Sequence, residues 1–273
     1  MRRLLSIRYD RRLTAPILIT LILLASHLSF GILESYEKTL LAIGASFAAE
    51  FTLSRLFRGK WPHPASAYIT GISVGILIRS PLYWPYALCS MLSITSKYVL
   101  RIKDRHLWNP SNFGICAILF LAPFAVAPLI IQWGNNLWPM LVIWIVGSFT
   151  IWRIRRFHIC AGYVAGFVIL ALVRSWITGD VFLAELAPIT GPMYQLFVFF
   201  MITDPRTTVQ SRRGQTVVAF LVALVEFLFR LGESVYAPFY ALFVVGPAAM
   251  LVESWWLTRG KNAYQQVRRD LTQ

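Results

Sequence analysis

The sequence predicts an all-α polytopic membrane protein, and three observations carry that prediction. The 273-residue chain is 57% hydrophobic and only 14% charged, where a soluble domain carries about a quarter charged residues. Its apolar runs recur at lengths near or above the ~18 residues that cross a hydrocarbon core of about 30 Å. Its cations sit between those runs. The net charge of +14 is therefore explained by membrane topology and does not call for nucleic acid as a partner.

In order, the runs fall near 14–33, 39–57, 64–80, 83–100, 111–131, 138–152, 157–177, 189–204, 215–232 and 236–257, which makes ten spans. The first is basic and then apolar, without a small-residue cleavage site, and reads as a transmembrane helix rather than a removed signal peptide. The third, sixth and eighth are short for a bilayer, as expected of helices that end inside a bundle around a site. With the N-terminus inside, 22 of the 26 Lys and Arg residues fall on the cytoplasmic side. Lys38, Arg79, Arg174 and Arg230 are on the other side. That bias predicts ten helices with both termini cytoplasmic. Trp84, Trp133, Trp138, Trp152, Trp176, Trp255 and Trp256 fall at span ends, as an aromatic belt does.

The chain reads as one transmembrane domain over 1–273. A cytoplasmic segment (1–13) precedes a first repeat (14–132), and a second repeat (138–257) precedes a cytoplasmic tail (258–273). The repeat rests on Thr70-Gly71 opening an apolar stretch that ends at Arg79-Ser80-Pro81 in the third span, and Thr190-Gly191 opening one that ends at Thr203-Asp204-Pro205 in the eighth, five helices later and hence inverted.

The most specific local signal is Phe199-Phe200-Met201-Ile202-Thr203-Asp204-Pro205-Arg206, followed by Arg212-Arg213. Asp competes for backbone donors and Pro lacks an N–H, so Thr203 to Pro205 should be a fixed helix end at the membrane edge. Asn109-Pro110-Ser111-Asn112 should start the fifth span, with Asn109 as cap and Pro110 in the first turn. Capping does not need Asn112, which is left to a ligand or to an interhelical hydrogen bond.

Ionisable groups inside spans are candidates for an ion or proton path because their burial is costly. Glu50 is the clearest. Glu226 has Arg230 at i+4, which predicts a local ion pair. Lys97 and Arg79 lie near span ends, where snorkelling explains them. Cys89, Cys116 and Cys160 form no CxxC and read as small buried hydrophobes. The four histidines are scattered, and neither a zinc signature, a P-loop nor Gly-x-Ser-x-Gly occurs, so no metal site is expected.

Lys97 with Asn109-Pro110, then Trp152-Arg153, then Phe199 to Thr207, then Arg230, Gly232, Glu233 and Pro247 follow one another over Tyr68 to Glu253. In that order they resemble the motifs of the RnfD/NqrB family, membrane subunits of the Rnf and sodium-pumping NADH:quinone oxidoreductase complexes. The resemblance implies two inverted five-helix repeats of urea-transporter-like fold, electron transport by flavin, and partner redox subunits in a bacterial inner membrane. The family's SGAT-type flavin-attachment segment has no counterpart here, so covalent FMN is not expected. In that shortening the chain resembles UnbU-type proteins of enediyne biosynthesis.

Three functions are open on this reading. One is an electron-transport subunit binding riboflavin, FMN or a quinone non-covalently between the repeats. Thr70, Asn109, Asn112, Thr203, Asp204 and Arg206 would line such a site, with Trp108, Tyr194, Phe199 and Phe200 against a flat ring. The second is a small-solute or ion transporter using the same broken helices with Glu50. The third is a non-catalytic accessory or scaffold protein that keeps only the fold.

Overall fold

A computed structural model describes residues 14–30, 35–102, 104–128 and 137–270, and the chain there is predominantly helical. The expected N-terminal segment 1–13, Lys103 and the turn near 132–136 lie outside the described residues, as do the side chains of Trp138, Lys261, Arg268 and Arg269. Each of the ten expected runs holds a helix. Among the described residues, four helices are long and apolar enough to cross a membrane, which marks this as an all-α membrane protein.

Helix α1 (Thr14–Phe30) is tied to α3 (Ala65–Leu77) by a 2.8 Å hydrogen bond between Thr20 and Tyr68. Helix α2 (Tyr36–Arg58) is capped by Ser35 and closed by Gly59, whose φ of +63° lies in the left-handed region that glycine enters without strain. Lys38, Ala42, Ser46, Glu50 and Ser54 recur every fourth residue and form the buried stripe of α2. Small residues let the neighbours come close: a Cβ on Gly71 would lie 2.5 Å from Ile43 Cα.

Helix α3 stops at Leu77, three residues short of the expected 64–80. The chain turns extended as β1 (Ile78–Arg79), which pairs antiparallel with β4 (Ala127–Pro128). Helix α4 (Trp84–Val99) leads into a hairpin of β2 (Arg101–Ile102) and β3 (Arg105–His106). Helix α5 (Pro110–Leu121) covers only half of the expected 111–131, because Pro123 lacks an amide hydrogen and turns the preceding residue away from helix.

Helix α6 (Leu137–Ile154) and α7 (Phe157–Thr178) follow. The expected eighth span is broken. A short α8 (Phe182–Leu186) and one 3₁₀ turn (Ala187–Thr190) precede α9 (Pro192–Leu196), which widens into a π turn over Phe197–Met201. Thr70 thus sits inside α3 whereas Thr190 precedes α9, so the two Thr-Gly pairs do not hold equivalent helical positions. Helix α10 (Arg212–Leu231) is capped by Ser211, and α11 (Ala237–Asp270) completes the bundle.

Two groups of helices share part of a packing pattern, but α2 lies closely on α3 whereas α7 touches the α9 segment far less. Helix α2 packs on α3 and α4, and α4 on α5; α7 packs on α10, and α10 on α11. Helix α1 leans on α3 and α6 on α9, while α1–α6 and α5–α11 join the two groups. The basic connections meet at one end. There Arg105 donates to the carbonyls of Pro205 and Thr208 and lies 3.6 Å from Glu253, which also accepts from the Gln210 amide at 2.6 Å.

Candidate functional site: a cleft between the two helix groups

Between α3 and the α9 segment lie three adjoining cavities that share lining residues. At the basic end, a mouth of about 450 Å³ is bordered by Glu50, Arg58, His63, Lys97, His106 and Arg206. It adjoins a central cavity of about 350 Å³, where Thr70, Asn109, Thr203, Asp204 and Arg206 converge with Phe199 and Phe200. The deepest part, about 90 Å³, is bounded mainly by apolar groups, among them Ile69, Ile76, Leu77, Leu196, Phe200 and Met201. The lining thus changes from cationic to apolar with depth.

Local sequence explains the floor of the mouth. The chain leaves helix at Thr203-Asp204-Pro205, as Asp and Pro predict. Asp204 is half-buried; its carboxylate accepts the Arg206 amide at 3.0 Å and the Asn109 side-chain amide at 3.2 Å. Asn109 does cap α5, accepting from the Asn112 amide at 3.1 Å. The hydroxyls of Thr70 and Thr203 donate to Ser66 and Phe199 carbonyls on their own helices, leaving each oxygen free to accept.

Two further site candidates lie elsewhere. Asn112 is 1% exposed and donates to the Phe239 carbonyl of α11 at 3.2 Å, the interhelical alternative. Glu226 is fully buried between α7, α9 and α10, away from the cleft. It forms no ion pair with Arg230: Arg230 bonds Glu185 at 2.9 Å, while Glu226 accepts from Tyr163 and Tyr194. The i+4 spacing brings the two helix positions together, but α8 offers Arg230 a carboxylate and the two phenols occupy Glu226.

Of the four expected aromatics, Phe199 and Phe200 line the cleft. Phe199 lies against Gly147 of α6, where a Cβ would come within 2.6 Å of the ring. Trp108 instead donates to the Phe243 carbonyl at 2.8 Å and packs on Phe113, and Tyr194 is bonded to Glu226.

Lys97 does not snorkel. It is 4% exposed, paired with Glu50 and hydrogen-bonded to Ser66 at 2.9 Å, and Tyr98 donates to the other Glu50 oxygen at 2.9 Å. A sequence signal for this existed. Ser46, Glu50 and Ser54 on α2 and Ser90, Ser93, Ser96 and Lys97 on α4 are two polar buried stripes on apolar helices. His106, which motif reasoning passed over, also faces the cleft wall. Burial, then the charges of Arg206, Lys97 and Arg101, hold its imidazole down to about 4. Its Nδ1 is buried without a hydrogen-bond partner among the described residues.

Neither Arg58 nor Arg206 forms an ion pair among the described residues, so the mouth keeps positive charge to offer an anion. The three cysteines are buried and free, as their apolar surroundings predict. Compared with protein-family models and with curated proteins, the chain matches none.

Proposed function

We propose that the protein is a multi-pass electron-transport subunit of the RnfD/NqrB kind, holding a flavin or quinone non-covalently in the cleft, in a bacterial inner membrane. The observation that carries this reading is the change in the lining from cationic mouth to apolar depth. A polar solute in transit needs hydrogen-bonding groups along its whole route, and the deep part offers only Ser73, Asn109 and Ser111 among mainly apolar neighbours such as Ile76, Leu77 and Met201. An amphipathic ring system with a polar or anionic end fits both parts. Arg206 and Arg58 suit a charged end, Asn109 and Thr203 suit ring or chain oxygens, and Phe199 and Phe200 suit a flat ring. Bound there, the group supplies the electron transfer, and the chain supplies binding, orientation and charge.

The repeated packing, α2–α4–α5 against α7–α10–α11, supports two inverted repeats. So does the placement of short α3 and broken α9 on opposite sides of the cleft. Short apolar helices paired in this way also favour a second reading, a solute transporter of the same architecture.

The test is the absorption spectrum of detergent-purified protein, with acid release and chromatography of whatever absorbs. Flavin or quinone near one per chain, lost in Arg206→Ala, is the expected result. Colourless protein with no extractable quinone overturns the redox reading, and solute flux in proteoliposomes then tests the transporter.

A further inference from the structure

Glu226 lies outside the cleft and has no part in the proposed function. Its side chain is fully buried on α10, and its two oxygens are shared between Tyr163 of α7 and Tyr194 of α9, the latter at 2.7 Å. The rings packed on these phenols are apolar: Phe167 and Phe197, the latter backed by Phe239 of α11. The charged groups nearby stand one step away. Arg230, a turn along α10, bonds Glu185 of α8 at 2.9 Å, and Glu185 also pairs with Arg174 of α7. Tyr240 of α11 packs instead on Phe229 and Phe120.

We propose that Glu226 is a proton-binding site within the membrane, taking up and releasing one proton through its carboxyl group. The argument is the chemistry of its partners. A phenol both donates and accepts, so two phenols can serve either charge state. Both donate to a carboxylate; when one oxygen carries the proton, that oxygen donates to a phenol that has turned to accept. Each of these oxygens keeps a hydrogen bond in either state; protonation leaves only the turned phenol's own O–H without an acceptor, a cost offset by the easier burial of a neutral carboxyl. Burial without a bonded cation opposes ionisation, and the nearby Arg230 charge favours it. The next ionisable group along α10 is Arg230, with its partner Glu185 of α8. Tyr194 also links the site to the cleft, because α9 carries Leu196 in the cleft wall two residues further on.

The test is infrared difference spectroscopy of the protein in lipid nanodiscs with carbon-13-labelled glutamate, titrated in pH and needing no cleft ligand. It therefore stands or falls separately from the flavin or quinone reading. The expected result is a carboxylic C=O band that titrates and is lost in Glu226→Gln but kept in Glu50→Gln. Tyr194→Phe removes one donor to the carboxylate and should raise the midpoint by about one to two pH units; this variant decides the matter if Glu226→Gln does not fold. A band absent at every pH, a band that never titrates, or a midpoint unmoved by Tyr194→Phe overturns the proposal. Displacement of the proton by sodium at constant pH also overturns it, in favour of a cation site.

Discussion

Two glutamates are buried in corresponding helix groups, Glu50 against α4 and Glu226 against α7 and α9, and they are satisfied in different ways. Glu50 accepts from the Tyr98 phenol and from the Lys97 ammonium; an ammonium can only donate, so of these two partners only the phenol can serve both charge states of a carboxyl. Glu226 faces two phenols, which serve both. The difference teaches that burial alone does not mark a proton site; what the partner can do after the proton arrives marks it.

The largest way to break this comparison is to remove one member of the ion pair. Lys97→Met leaves Glu50 buried without its cation and should cost about 3–5 kcal/mol, read as loss of thermal stability in detergent. Adding Glu50→Gln should restore most of that loss, and a double variant as unstable as the single one would mean the pair is not the cause. A smaller effect sharpens the other side. Glu226→Gln keeps an acceptor and gains donors that a turned phenol can take, so its cost should be about 1 kcal/mol. A loss as large as that of Lys97→Met would make Glu226 a fixed charge.

A third expected effect is acid sensitivity at the mouth, beside Glu50. His106 is held below its free value of 6.5, down to about 4, so the unfolded chain takes up a proton that the folded chain refuses in that window. Its contribution to stability is full above pH 6.5 and declines as the pH falls toward 4. His106→Phe should flatten stability across that window, as followed by thermal unfolding at stepped pH.

Much of the fold was legible because the bilayer imposes length and apolarity on each run. The helix end at Thr203-Asp204-Pro205 and the Asn109 cap were legible for local reasons, since both depend on residues within a turn. What failed was pairing at a distance. Glu50 and Lys97 are 47 residues apart, and nothing local says which stripe faces which. Glu226 and Arg230 failed in the reverse direction, because a helical spacing fixes nearness on a surface but not which partner wins. The break at 187–201 was seen only as a short span; the separate α8 and the π turn depend on tertiary contacts.

The three cysteines have a practical consequence. Cys89 and Cys116 are wholly enclosed and Cys160 is 8% exposed, so the native thiols are shielded from aqueous alkylating reagents. A single cysteine placed at exposed Arg58 would then be the most reactive thiol and could carry a spin label or fluorophore without first stripping the protein of its own sulfurs. The natural chain is its own labelling background, and movements at the cleft mouth can be followed in it directly.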